Sequence, residues 1–155
     1  MKKFLCIGSI ALLVGCSSMN YTKIENSQAN ITNLEVAEIG KVGTDKYQLD
    51  VKFDYSIDDY HEISNLYSCS VLFVSSQTQM VTTSQERNPC EINQQNGSIS
   101  IKWDTPLSKD AGYSKEALKK MSLPLEYHIA IHQKKTSNTN QVIGMSKALY
   151  LNPKT

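Results

Sequence analysis

The chain has 155 residues, with 16 Lys and Arg against 15 Asp and Glu. That near-balance carries no basic stripe: Lys119-Lys120 and Lys134-Lys135 are isolated pairs, the pattern of a solvated surface, so nucleic acid and anionic membrane surfaces are excluded as partners. Forty percent apolar residues over this length suffice for one domain with a core, and no internal repeat or low-complexity segment interrupts it.

The chain opens MKKFLCIGSIALLVGCSSMN. Lys2 and Lys3 form a positive start, and Phe4 to Val14 is an apolar run too short for a transmembrane helix, which needs about 20 residues. This is the layout of a signal peptide, set apart from the fold. The run ends in Leu13-Val14-Gly15-Cys16, which resembles the lipobox of bacterial lipoproteins. The resemblance implies removal of residues 1–15, a diacylglycerol on the Cys16 thiol and acylation of the new amine. Cys6 is then a small apolar residue of the discarded segment. Ser17 stands where enteric lipoproteins retained at the inner membrane carry Asp, which implies outer-membrane delivery. Two or more acyl chains hold a protein stably on a bilayer, each buried CH₂ contributing about 0.8 kcal/mol. The expectation is a domain facing the periplasm, tied to the bilayer through Cys16. Residues 17–29 are polar and aperiodic and read as a tether, reaching at most about 40 Å at ~3.3 Å per residue.

The domain is expected to occupy 30–155. Ile31 to Ile39 alternates weakly, and GKVGTD supplies turn residues after it. In KYQLDVKFDYSID, Tyr47, Leu49, Val51, Phe53, Tyr55 and Ile57 take every odd position with polar residues between them. That period of two predicts a strand with one buried and one wetted face. Leu66 to Val74 ends in VLFV, apolar on both sides, and predicts a central strand. Gln79 to Thr83 is β-rich but short. In CEINQQNGSISIKW, Asn96-Gly97 predicts a type I′ hairpin turn, with Ile99, Ile101 and Trp103 alternating beyond it. SKEALKKM predicts the single short helix, capped by Ser114 and ended before Pro124. LEYHIAIHQ puts Leu125, Tyr127, Ile129 and Ile131 on one face. VIGMSKALYL predicts a last strand with Ile143, Met145, Leu149 and Leu151 inward.

Seven or eight short strands separated by turn signals predict an all-β, antiparallel sandwich. The segment SLPLEYHIAI resembles the corner of immunoglobulin-like and fibronectin type III domains, where a Leu-Pro pair precedes a strand opening with Tyr. The resemblance implies an immunoglobulin-like shape in which Leu123, Pro124 and Tyr127 form that corner. Trp103 falls late for those families, and the cysteine spacing is not theirs.

With Cys6 removed and Cys16 lipidated, Cys69 and Cys90 remain as an even pair in an oxidising compartment, which predicts a structural disulfide. Its loop of about 22 residues is worth roughly 3 kcal/mol on the chain-entropy model. No CxxC spacing exists and three histidines cannot complete a zinc site. His128 and His132 share a strand face but lie about 13 Å apart, too far for one metal, and read as two polar-face residues. Asp58, Asp59, His61 and Glu62 form the densest ionisable cluster, readable as a solvated turn, a hard-cation site or an acid–base group. No GxSxG or SxxK motif is present, and no catalytic residue or cofactor is expected. The favoured expectation is a non-catalytic binding or assembly accessory with an envelope protein as partner. An immunity, inhibitor or exclusion lipoprotein that binds a toxin or enzyme would carry the same sequence features. A small periplasmic hydrolase or ligand binder would need a deep pocket near residues 58–62.

Overall fold

A computed structural model describes residues 27–42, 44, 46–75, 80–82, 90–109, 115, 119–137 and 139–152. The predicted leader, lipidation site and tether to residue 26 lie outside the described residues, as does most of the predicted helix from Ser114.

The alternating run forms β2 (Tyr47–Ile57), with each odd residue buried and each even residue at least partly wetted. Its inward row meets two partners. β1 (Ala29–Gly40) lies antiparallel on one side, and β6 (Asn96–Asp104) lies on the other. The order β1-β2-β6 makes the first sheet. Its outer face is a polar ladder: Glu35 stands opposite Lys52, and Asp50 opposite Lys102. Asp54 accepts from Asn33 Nδ2 at 2.7 Å and from the Ser98 hydroxyl. Those two donors, Ser98 foremost, hold the Asp54 carboxyl below its usual range.

The alternation of β1 is weak for a local reason. The register slips by one residue between Thr32 and Glu35, and Asn33 sits at φ 50°. This bulge changes the phase, so that Ile31 and Val36, one odd and one even, both oppose inward residues of β2.

The second sheet is built on β3 (Tyr67–Val74) and β7 (Leu125–Thr136), paired from Tyr67–Gln133 to Phe73–Tyr127. β4 (Met80–Thr82) and β5 (Glu91–Ile92) share the other edge of β3. β8 (Thr139–Met145) and β9 (Leu149–Leu151) share the other edge of β7. Val71, Leu72 and Phe73 are all fully buried, so both faces of β3 are covered, as VLFV predicts. The main core lies between the sheets and contains Trp103, Phe53, Phe73, Ile129 and Ile131. A smaller cluster of Leu72, Ala130 and Val142, with Met145 against it, occupies the opposite face of the second sheet.

The protein is thus an all-β antiparallel sandwich. In immunoglobulin lettering β1, β2 and β6 take the places of A, B and E, and β3, β7 and β8 those of C, F and G. Tyr127 is buried near the start of β7, and the Leu123–Pro124 bond before it is cis. Its hydroxyl does not bond back to upstream backbone among the described residues. Burial first, and then the nearby Glu38 charge, push its ionisation up to about 12.

Two sequence expectations are corrected. Asn96-Gly97 is not a hairpin turn: both residues lie in β6, opposite Ser56 and Tyr55, while β5 pairs with β3. A Cβ on Gly97 would meet the Tyr55 ring at 3.4 Å, so the glycine is covered by its cross-strand aromatic neighbour. The last strand is split in two. A bulge at Ile131/His132 and a break after Met145 send Ile143, Leu149 and Leu151 into the main core and Met145 to the opposite face.

Gly144 marks the place where β8 meets the entry of the domain. Gln28 N–H donates to the Ile143 carbonyl at 3.1 Å, and a Cβ on Gly144 would come within 2.9 Å of Ala29 Cβ while also striking Ala29 backbone. Gly144→Ala is therefore expected to lower stability by about 1–3 kcal/mol, the usual cost of forcing one extra carbon into a packed site. A urea titration should show a reduced midpoint at unchanged slope.

Candidate functional site

The densest ionisable cluster lies on the β2–β3 connection, at the end of the sandwich where the chain enters the domain. Two left-handed residues, Asp59 (φ 51°) and Asn65 (φ 58°), let this segment fold back on itself. Tyr67 clamps it: the buried ring stacks on Tyr60 with centroids 5.1 Å apart, and its hydroxyl accepts from the His61 N–H at 3.2 Å. Asp58 N–H donates to Gln28 carbonyl at 2.8 Å, tying the turn to the incoming chain.

Asp58, Asp59, His61 and Glu62 themselves are exposed. The first three border a depression of about 200 Å³ together with Gln28, Gln133 and Lys135, while Glu62 stands outside it. Among the described residues no three His, Cys, Asp or Glu side chains converge on a common point, so the cluster is not brought together as a ligand set. The volume is below the ~300 Å³ at which small-molecule sites begin, and the depression is open and mostly polar. What it offers is surface, with the acidic turn on one side and Lys135 on the other.

The cysteine pair is joined. Cys69 in β3 and Cys90 just before β5 form a disulfide with Cα atoms 5.2 Å apart, and Cys69 N–H donates to the Cys90 carbonyl at 3.1 Å. The bridge lies within the second sheet, fastening its edge, and does not cross the core as the bridge of antibody domains does. Both thiols are consumed, which removes them as nucleophiles or metal ligands.

The two strand histidines do share a face, but His128 and His132 are buried where polar-face residues were expected. The reason is the second cluster: the face carrying Ala130 is itself covered, and the histidines flank Ala130 on it. His132 Nε2 lies 2.6 Å from Ser70 Oγ, a residue equally buried. Burial holds the imidazole neutral, with its pKa lowered to about 4. A serine and an imidazole at this distance have the make-up of a Ser–His dyad, but both side chains are buried, Ser70 at 1 % and His132 at 0 % exposure. His128 places Nδ1 3.1 Å from the Ser146 carbonyl oxygen and Nε2 3.1 Å from a Glu126 carboxylate oxygen. Ser146 Oγ in turn accepts from the Ile129 N–H at 3.0 Å. These bonds close the break between β8 and β9. Sequence reasoning missed the Ser70–His132 pair; the available signal was Ala130, a small apolar residue on the face otherwise read as wet.

The class defined by these observations is a small disulfide-bridged β-sandwich. No protein-family model matches the chain, and a comparison with curated proteins found no match.

Proposed function

We propose that this protein is a lipid-anchored lipoprotein of the bacterial outer membrane, its sandwich domain in the periplasm, acting as a non-catalytic binding or assembly accessory for another envelope protein. The observation that carries the reading is the Cys69–Cys90 disulfide set beside the lipobox-like Leu13-Val14-Gly15-Cys16. A bridge of this kind belongs to an oxidising compartment, and a lipobox delivers its protein to one. β1 begins at Ala29, next to the expected domain start at residue 30. Among the described residues no helix is long and apolar enough to cross a membrane.

A binding role is supported by the character of the site. The acidic turn, the polar ladder and the strand edges are surfaces, and the depression beside Asp58 and Asp59 is too shallow to enclose a substrate. The hydrolase or ligand-binder reading would need a deep pocket there, and the depression of about 200 Å³ lends it no support.

The decisive experiment is metabolic labelling with radioactive palmitate in the native cell. The wild-type chain should incorporate label and sediment with outer membranes. Cys16→Ser should abolish labelling and release the domain into the soluble periplasmic fraction. An unlabelled wild-type chain, or a Cys16→Ser variant that stays on membranes, would refute the anchor. Crosslinking the native lipoprotein in cells should recover a stoichiometric second protein, and recovery of this chain alone would refute the accessory role with another protein.

A further inference from the structure

Sheet edges invite pairing with other strands, and folded proteins normally blunt them with short strands, bulges, proline or charge. In this protein the edges differ sharply. β1 is bent by the bulge at Asn33. On the second sheet the β4/β5 edge consists of a three-residue and a two-residue strand, and the β8/β9 edge is broken and bulged. β6 is neither short nor bulged, and its only charges are Lys102 and Asp104. It is nine residues long, NGSISIKWD, its register with β2 is unbroken from Asn96 to Asp104, and it holds no proline and only one lysine. Among the described residues only β2 pairs with it.

The backbone groups left over can be assigned. Ile57 N–H donates to the Gln95 carbonyl at 2.8 Å, and Thr105 N–H donates to the Tyr47 carbonyl at 2.9 Å. Both belong to the β2–β6 register, and they show that odd-numbered residues turn their polar groups toward β2. In an antiparallel ladder the alternate residues turn theirs the other way. Asn96, Ser98, Ser100, Lys102 and Asp104 therefore present N–H and C=O outward, and among the described residues no strand receives them.

We propose that β6 pairs antiparallel with β6 of a second copy of this chain, about a two-fold axis at Ser100. The strand is self-complementary in that register. All five outward-facing residues meet an outward-facing counterpart: Ser100 its own copy, Ser98 Lys102, and Asn96 Asp104. Centring the axis on Ile99 or Ile101 leaves one of the five unused. Lys102 meets a serine and not another lysine, and the Asp104 carboxylate meets an amide, so no like charges face each other. On the inner face Ile99 meets Ile101 in non-hydrogen-bonded pairs, where side chains approach most closely. Both isoleucines are only partly buried in the single chain. The product is a continuous six-stranded sheet with closed two-fold symmetry. The pairing goes beyond the accessory reading and does not depend on the anchor.

Site-directed crosslinking of the full chain in detergent and in native membranes tests it. Residues in a hydrogen-bonded antiparallel pair have Cα atoms about 5.5 Å apart, inside disulfide range. Ser100→Cys should yield a disulfide-linked dimer under mild oxidation. Ser98→Cys and Lys102→Cys should each fail alone, because identical residues would be about 13 Å apart. The Ser98→Cys/Lys102→Cys double variant should link again. Ser100→Pro removes an outward N–H that β2 does not use, so it should abolish the dimer while leaving the thermal midpoint of the fold in place. Absence of a Ser100→Cys dimer, equal linking through Ser98→Cys alone, or linkage of Ser100→Cys to a different protein would each overturn the self-pairing.

Discussion

Replacing Trp103 with alanine is expected to lower the stability of the domain by about 3–5 kcal/mol, a large part of the 5–15 kcal/mol that typically holds such a domain folded. Trp103 is the only tryptophan in the chain and is fully buried. It stands opposite Leu49 on the inner face of β6, an edge strand that among the described residues pairs with β2 alone. The neighbours on this face cannot collapse into the space, because β2 is fixed by ladders on both sides. The cavity therefore persists and adds to the lost transfer free energy. Chemical denaturation followed by circular dichroism should show a lower midpoint at the wild-type slope. Trp103→Phe keeps most of the volume and should recover more than half of the loss. In the wild-type chain the Trp103 emission should be blue-shifted and should move to the red in a single transition with the circular dichroism signal. A variant within about 1 kcal/mol of wild type would mean that Trp103 does not sit in the core, since exposed substitutions stay in that range.

What the sequence discloses and what it hides follow from the range of the interactions involved. β2 is legible because its signal is repeated: six inward residues at period two set its type, its faces and, through the polar set, its solvent side. β3 is legible from a different signal, the unbroken apolar run VLFV, which marks a strand covered on both faces. Asn96-Gly97 misleads because the dipeptide reports a local preference, and the cross-strand ring of Tyr55 outweighs it. Nothing local to residues 96 and 97 names Tyr55. The phase change in β1 is likewise a bulge with no sequence mark beyond Asn33, a residue tolerant of the left-handed region. The cluster from Asp58 to Glu62 is visible as composition, but whether its carboxylates converge depends on two left-handed residues and on the clamp from Tyr67. The cysteine pair is the long-range feature that sequence does disclose, because Cys69 and Cys90 are the only two cysteines of the expected domain. The edge position of β6 is hidden until the sheet order is known, since an edge is a property of neighbours.

Stability should fall as the medium is acidified from about pH 6.5 to about pH 4, by roughly 3 kcal/mol over that interval. The source is His132. In the unfolded chain an imidazole takes a proton below about 6.5, whereas in the fold burial lowers its pKa to about 4. Across that window the unfolded state therefore binds more protons than the native state, and stability rises with pH through it. Above about 6.5 neither state is protonated and the effect is fully expressed; below about 4 both are protonated and no further change comes from this group. The geometry explains why the fold does not accommodate the charge. His132 lies on the covered face of the second sheet beside Ala130 and Val142, where burial disfavours the charged imidazole, and its Nε2 lies 2.6 Å from the neutral Ser70 hydroxyl. Asp54 acts in a different range: its depressed carboxyl adds stability that is lost only as pH falls below ordinary carboxylate values, so the two contributions separate on the pH axis. His132→Gln keeps a polar group for Ser70 and removes the titration. Urea unfolding at half-unit steps should show the wild-type midpoint falling between about pH 6.5 and 4 while the variant's stays flat there. An identical decline in His132→Gln would assign the acid sensitivity to other groups and remove His132 as its cause.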